Sequence, residues 1–150
     1  MTDTSLIHAT AIAIEGDAIL LRGPSGAGKS DLALRLIDGG ARLIADDQAL
    51  LWRAGDQVLV RAPAEISGLI EVRGVGLLRV PSLDEAPLAL IVDLVASTQV
   101  ERIPDSRFEV IFGLAVPLIA LAPFEASATA KLHLARRTFA FPAPARIPGS

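Results

Sequence analysis

Residues Gly23-Pro24-Ser25-Gly26-Ala27-Gly28-Lys29-Ser30 match the pattern G-x-x-x-x-G-K-S/T. That pattern is useful only where a strand delivers the chain into the loop and a helix leads it away. Both flanks comply. Ala18-Ile19-Leu20-Leu21 reads as a short buried strand. Asp31 to Asp38 reads as a helix, with Leu32/Leu36 and Ala33/Ile37 at i, i+4, an Asp31/Arg35 pair, and Gly39-Gly40 to stop it. The chain is therefore constrained to an α/β unit of strand, loop and helix.

The residue types in this loop have a common purpose. Gly23, Gly26 and Gly28 let the backbone turn at φ > 0, so that the N–H groups of Ser25, Ala27 and their neighbours point inward at a phosphate chain, and the helix adds its positive end. Lys29 supplies a point charge for terminal phosphates, and the Ser30 hydroxyl suits Mg²⁺. A nucleotide or pyrophosphate site is the expectation.

The 150 residues correspond to a single domain, and a composition of 51% hydrophobic against 21% charged residues gives it a core and excludes disorder. A net charge of −3 without any run of Lys or Arg argues against a nucleic-acid partner. The lack of cysteine removes disulfides and thiolate metal sites. Met1 to Ser5 lacks the pattern of a signal peptide. The apolar run Val110 to Phe124 is broken by Gly113, Pro117 and Pro123, too short for a membrane helix. A cytoplasmic protein with no membrane partner is expected.

Ala9 to Ile14 alternates and pairs with Ala18 to Leu21 across Gly16-Asp17. Leu43-Ile44-Ala45 is a second buried strand. Ala49 to Trp52 and Gln57 to Arg61 form a hairpin about Ala54-Gly55-Asp56. Strands follow at Leu69 to Val72, Leu88 to Leu94 and Pro117 to Leu121, then a helix from Ala126 to Ala135. So few helices cannot supply a crossover for every parallel pair, so the sheet should be mixed and largely antiparallel. Phe141 to Ser150, with three prolines, is expected to be a frayed, flexible tail.

Two carboxylate sets compete for the chemistry. Asp93 ends the apolar strand Leu88 to Val92, where a P-loop enzyme often keeps a metal-binding Asp. Asp46-Asp47 ends Leu43 to Ala45, much closer to Lys29. Adjacent carboxylates at a strand end have different environments and can divide metal binding from proton transfer.

Asp46-Asp47 behind the glycine loop, together with Gly68-Leu69-Ile70-Glu71-Val72-Arg73-Gly74-Val75-Gly76 and the upstream His8-Ala9-Thr10, resembles the catalytic domain of HPr kinase/phosphorylase over about residues 7 to 122. The resemblance implies a fold like that of phosphoenolpyruvate carboxykinase, and a short form that starts at the catalytic domain. It further implies a Mg²⁺-dependent enzyme that phosphorylates a serine of an HPr-type phosphocarrier protein from ATP or pyrophosphate. Many members reverse this with inorganic phosphate.

Carried over by motif, Lys29 and Ser30 are the phosphate and Mg²⁺ groups, Asp46 is the catalytic base, and Asp47 is its metal-side neighbour. His8 lies near the phosphates, Glu71 is a Mg²⁺ contact, and Arg73, Gly74 and Gly76 complete the signature. Two departures stand out: Asp31 replaces the usual Glu, and Thr98 to Phe108, with Glu101, Arg102 and Arg107, is shorter than the family's arginine-bearing loop. Arg102 is the candidate transition-state cation. The family's hexamers imply a homo-oligomer, with Val110 to Phe124 as apolar contact surface. A small-metabolite kinase using Asp93 and an Arg136-Arg137 lid, or a non-catalytic ATP-binding sensor, are the alternative readings.

Overall fold

Thr10–Ile14 (β2) and Asp17–Arg22 (β3) form an antiparallel hairpin with Ile14 opposite Asp17. Its turn is Glu15-Gly16, both at positive φ (50° and 84°), the geometry that matches the twist of a two-residue hairpin. Asp17 therefore belongs to the strand rather than to the turn. The structure, a computed structural model, describes residues 3–139. The tail from Phe141 to Ser150, expected to be frayed, lies outside them.

Along the chain, Thr4–Ile7 (β1), β2 and β3 precede the helix Lys29–Asp38 (α1). Arg42–Ala45 (β4), Ala49–Ala54 (β5), Gln57–Arg61 (β6), Leu69–Val72 (β7), Gly76–Arg79 (β8) and Glu85–Leu94 (β9) follow. Arg107–Ile111 (β10), Leu114–Leu121 (β11) and the helix Ala128–Phe139 (α2) complete the described chain. Among the described residues, nine strands make one curled sheet and β7 with β8 makes a separate hairpin. Most pairings are antiparallel; β9 runs parallel to both β3 and β11.

β9 is the seam of the sheet. Its first residues, Glu85 to Pro87, pair with β6, whereas Ile91 to Leu94 pair with β11, and β3 occupies the other edge. The sheet thus divides along β9 into a β1–β5–β6 leaf and a leaf of β4, β2, β3, β11 and β10, and the two fold over one another. Side-chain alternation fills both sides. Ile12, Ile14, Ile19, Leu21, Leu90 and Val92 pack with Leu32 and Leu36 of α1 and Leu132 of α2. Ala11, Ala13, Ala18, Leu20 and Ile91 instead meet Ala49, Leu51, Val58 and Val60. The many alanines in that inner layer let the two leaves approach closely.

The apolar run Val110 to Phe124 is spent mainly inside: Val116, Leu118 and Leu121 are buried, whereas Val110 and Phe124 are exposed. Strand alternation turns part of the run into the core, so its exposed members, such as Val110 and Phe124, are those left for the oligomer contacts expected there. No helix among the described residues is long and apolar enough to cross a membrane.

Candidate active site

The loop between β3 and α1 starts where β3 leaves its parallel neighbour β9. Ala27 N–H donates to Pro24 O (3.0 Å), and Leu32 N–H to Gly28 O (2.9 Å) opens the helix. Gly26 and Gly28 have φ of 84° and 102°. A Cβ on Gly28 would also lie 2.9 Å from the Phe124 ring, so that position excludes any side chain on two counts. Gly28 caps α1 without a side-chain hydrogen bond, so the first N–H groups of α1 have no intrahelical acceptor. Lys29 is buried, and its ammonium donates to Gly23 O (2.7 Å) and Pro24 O (3.1 Å) of its own loop.

The two aspartates enter from the crossing where the chain leaves one leaf for the other. β4 ends at Ala45, opposite Ala11 of β2, and β5 begins at Ala49, opposite Ile7 of β1. His8 and Asp46-Asp47 occupy the two crossings side by side. Ser30 Oγ donates to Asp46 Oδ1 at 2.7 Å, Thr10 Oγ1 donates to the same oxygen at 3.3 Å, and Glu71 N–H donates to Asp46 Oδ2 at 3.1 Å. Asp47 turns the other way. Its φ of 70° is left-handed, a strained conformation for a non-glycine residue and a frequent mark of functional positions. Its carboxylate meets His8 Nε2 at 2.5 Å with both side chains about half exposed.

Ser30 and Asp47, both expected at the metal, have different hydrogen-bond partners. Ser30 meets Asp46, and Asp47 is taken by His8, because the left-handed turn at Asp47 separates the two carboxylates more sharply than strand alternation would. Glu71 is exposed and contributes its backbone N–H. Arg73, Gly74 and Gly76 shape the turn of the β7–β8 hairpin that presents it, with φ of 87° at Gly74. Arg102 lies exposed in the connection between Gln99 and β10.

Thr10 is the site residue that sequence reasoning left without a role. It is fully buried, donates to Asp46 and accepts from Asp47 N–H at 3.1 Å, so one hydroxyl fixes both aspartates. The signal was a single hydroxyl in the otherwise apolar strand Thr-Ala-Ile-Ala-Ile.

Two residues of the rival arrangement, Asp93 and Arg136, are engaged elsewhere, whereas Arg137 is exposed. Asp93 holds Arg22 in a bidentate pair (2.8 and 3.1 Å), and Glu109 takes a third guanidinium nitrogen at 2.7 Å. The Asp93 carboxylate, aided by Glu109, holds the Arg22 guanidinium above its ordinary pKa despite partial burial. Arg136 is buried and donates to Asp17 (2.8 Å) and Glu15 (3.0 Å). It clamps α2 to the β2–β3 turn and is no mobile lid.

A glycine loop between strand and helix, with a carboxylate on its terminal serine, defines an α/β domain with one loop-and-carboxylate site on a curled, mostly antiparallel sheet. Residues 1–132 match the family model described as the HPr Serine kinase C-terminal domain, and the chain belongs to that family. It is 44% identical over 78 residues to an HPr kinase/phosphorylase of an Exiguobacterium species, covering 51% of this chain and 25% of the relative. With that of Lacticaseibacillus casei (strain BL23) it shares 34% over 132 residues, covering 77% of this chain and 40% of the relative. The chain thus spans well under half the length of these relatives. The solved structure of the Hpr(Ser) kinase/phosphatase from Coxiella burnetii is similar at 28% identity and a TM-score of 0.79, over 89% of this chain and 95% of that one.

Proposed function

We propose that the chain is a Mg²⁺-dependent serine kinase that moves a phosphoryl group from ATP or pyrophosphate to a serine of an HPr-type phosphocarrier protein. The observation that carries this is the division of the two aspartates, one on Ser30 and the other on His8, within a chain of the HPr kinase C-terminal family. The names of its relatives supply the acceptor and the reverse reaction. The mixed sheet supports the likeness to phosphoenolpyruvate carboxykinase that the resemblance implies.

The donor set fits the ion. The Ser30 hydroxyl and an Asp46 carboxylate oxygen, 2.7 Å apart, are hard oxygens. Mg²⁺ is commonly held by one or two such groups with phosphates and waters rather than by a full protein cage. Ser30 and Asp46 would hold it, with Glu71 close behind through its backbone bond to Asp46. Bound there, Mg²⁺ would neutralise charge on the phosphates.

The chain's own residues then do the rest. The loop N–H groups and Lys29 hold and align the donor, so that most of the catalysis is positioning and electrostatics. Asp47, oriented by His8 and turned away from Ser30, accepts the proton of the attacking serine hydroxyl as the serine O–P bond forms and the donor O–P bond breaks. In reverse, inorganic phosphate attacks the phosphoserine, the new O–P bond making pyrophosphate as the serine O–P bond breaks, and Asp47 passes the proton given up by the attacking phosphate to the leaving serine oxygen. The roles of Asp46 and Asp47 are thus exchanged relative to the motif-based expectation, on the strength of the Ser30 contact. Arg102, exposed in the connection before β10, is kept as the transition-state cation on the family resemblance.

A metabolite kinase built on Asp93 and Arg136 would require both residues to leave their ion pairs. Assembly as a homo-hexamer rests on the family resemblance. The function is tested by intact mass spectrometry of an HPr-type protein incubated with the chain, Mg²⁺ and ATP, then with excess phosphate. One added phosphoryl group is expected, and its later removal would add phosphorylase activity. No addition while ATP binds would overturn the kinase and favour a sensor.

A further inference from the structure

Beside the glycine loop lies an open cavity of about 470 Å³ lined by Asp31, Arg35, Phe124, Glu125, Ala126 and Thr129, a size within the range of small-molecule sites. Three features tie it to the loop. Asp31 immediately follows Ser30, so the cavity begins where the loop ends. The edge of the Phe124 ring packs on Gly28, 2.9 Å from where a Cβ would sit, yet the side chain is 71% exposed. A large aromatic ring left in water at that point has an unoccupied face.

The third feature is the bracing of this wall. Arg35 pairs with Asp31 at 3.0 Å and donates to the Pro123 carbonyl, so α1 holds the Pro123-Phe124 connection in place. The same pair offsets the Asp31 charge next to the anionic ligand expected in the loop. Glu125 is likewise offset by Lys131 at 2.9 Å. The cavity is thus an aromatic slot with neutralised polar walls, opening at the end of a phosphate-binding loop.

We propose that this cavity is the nucleoside subsite of the donor, with the base stacked on Phe124 and the ribose passing Asp31 towards the loop. The inference rests on the loop holding the donor's phosphates, as in the function proposed above. A base has a π-face whatever its substituents, so stacking on one aromatic ring gives affinity for purine nucleoside triphosphates with modest discrimination among them. Pyrophosphate and tripolyphosphate, which have no base, would use the loop alone.

The test measures Mg²⁺-dependent binding of ATP and of tripolyphosphate by calorimetry to the full chain and to two variants. Phe124→Leu keeps apolar packing on Gly28 but removes the stacking face, and Phe124→Tyr keeps that face. The expected result is about tenfold weaker ATP binding in Phe124→Leu, unchanged tripolyphosphate binding, and near-normal ATP binding in Phe124→Tyr. Unchanged ATP binding in Phe124→Leu, or an equal loss for both ligands, would overturn the subsite while leaving the loop assignment standing. Failure of the unmodified chain to bind either ligand would overturn the loop assignment, and this inference with it.

Discussion

His8 and Asp47 meet at 2.5 Å although 39 residues separate them, because both sit where the chain crosses from one leaf of the sheet to the other. β1 pairs with β5 and β2 pairs with β4, so the two crossings are adjacent by construction. The β-ladders thereby fix the relation of an imidazole to a carboxylate at the edge of the glycine loop.

That relation makes His8 a positioning residue for Asp47. His8→Ala is expected to lower kcat about tenfold to a hundredfold while leaving the KM for ATP nearly unchanged, and His8→Gln, which keeps a donor, is expected to recover part of the loss. Steady-state kinetics checks this. A raised KM with normal kcat would place His8 in donor binding instead.

Thr10 joins both aspartates from a fully buried position. Thr10→Val keeps the shape but removes the hydroxyl, leaving Asp47 N–H and one Asp46 oxygen short of a partner. Urea denaturation is expected to show a loss of about 1–3 kcal/mol, together with a lower kcat, and Thr10→Ser should restore both. Full activity in the valine variant would show that the aspartates hold their places without it.

Asp93→Asn separates the two carboxylate readings. Its partner Arg22 is only about one quarter exposed, but Glu109 stays on the guanidinium and the amide oxygen can still accept, so the variant is expected to lose about 1–3 kcal/mol of stability. The Mg²⁺ concentration for half-maximal activity should not change. A severalfold increase in that concentration would make Asp93 a metal residue after all.

Arg136→Met tests the clamp on α2. The carboxylates it releases, Glu15 above all, can reach water, so thermal unfolding should report a loss of about 1–3 kcal/mol rather than collapse. The kinetic constants should stay as they are. A selective rise in KM for the nucleotide would revive a cationic role over the site.

Much of this arrangement was legible because strong local signals agreed with the fold. The loop, its helix and the two early hairpins follow from glycine placement and from apolar alternation in segments that are buried on one or both faces. The strands that escaped are those whose burial is weak. β8 is exposed along its whole length, and β10 mixes charged Arg107 and Glu109 with exposed Phe108 and Val110. β9 begins at Glu85, before the expected Leu88, because Pro87 can sit at a point where β6 is the only ladder partner.

At the site, Asp46-Asp47 could be read from their place at a strand end, but not which would face Ser30. That depends on the left-handed φ at Asp47, which no spacing rule reveals. Arg136 shows the same limit: two adjacent arginines near the chain's end look solvated, and only the packing of α2 on the β2–β3 turn buries one of them.

The most direct test of the account is single-turnover phosphoryl transfer to an HPr-type protein by Asp46→Asn and Asp47→Asn, with ATP and Mg²⁺ binding measured on the same samples. The account predicts that Asp47→Asn binds Mg²⁺ and ATP normally but transfers about 10²–10⁴-fold more slowly, whereas Asp46→Asn needs far more Mg²⁺. Transfer at the unmodified rate by Asp47→Asn, with Asp46→Asn binding both ligands normally yet inert, would contradict it and return the role of base to Asp46.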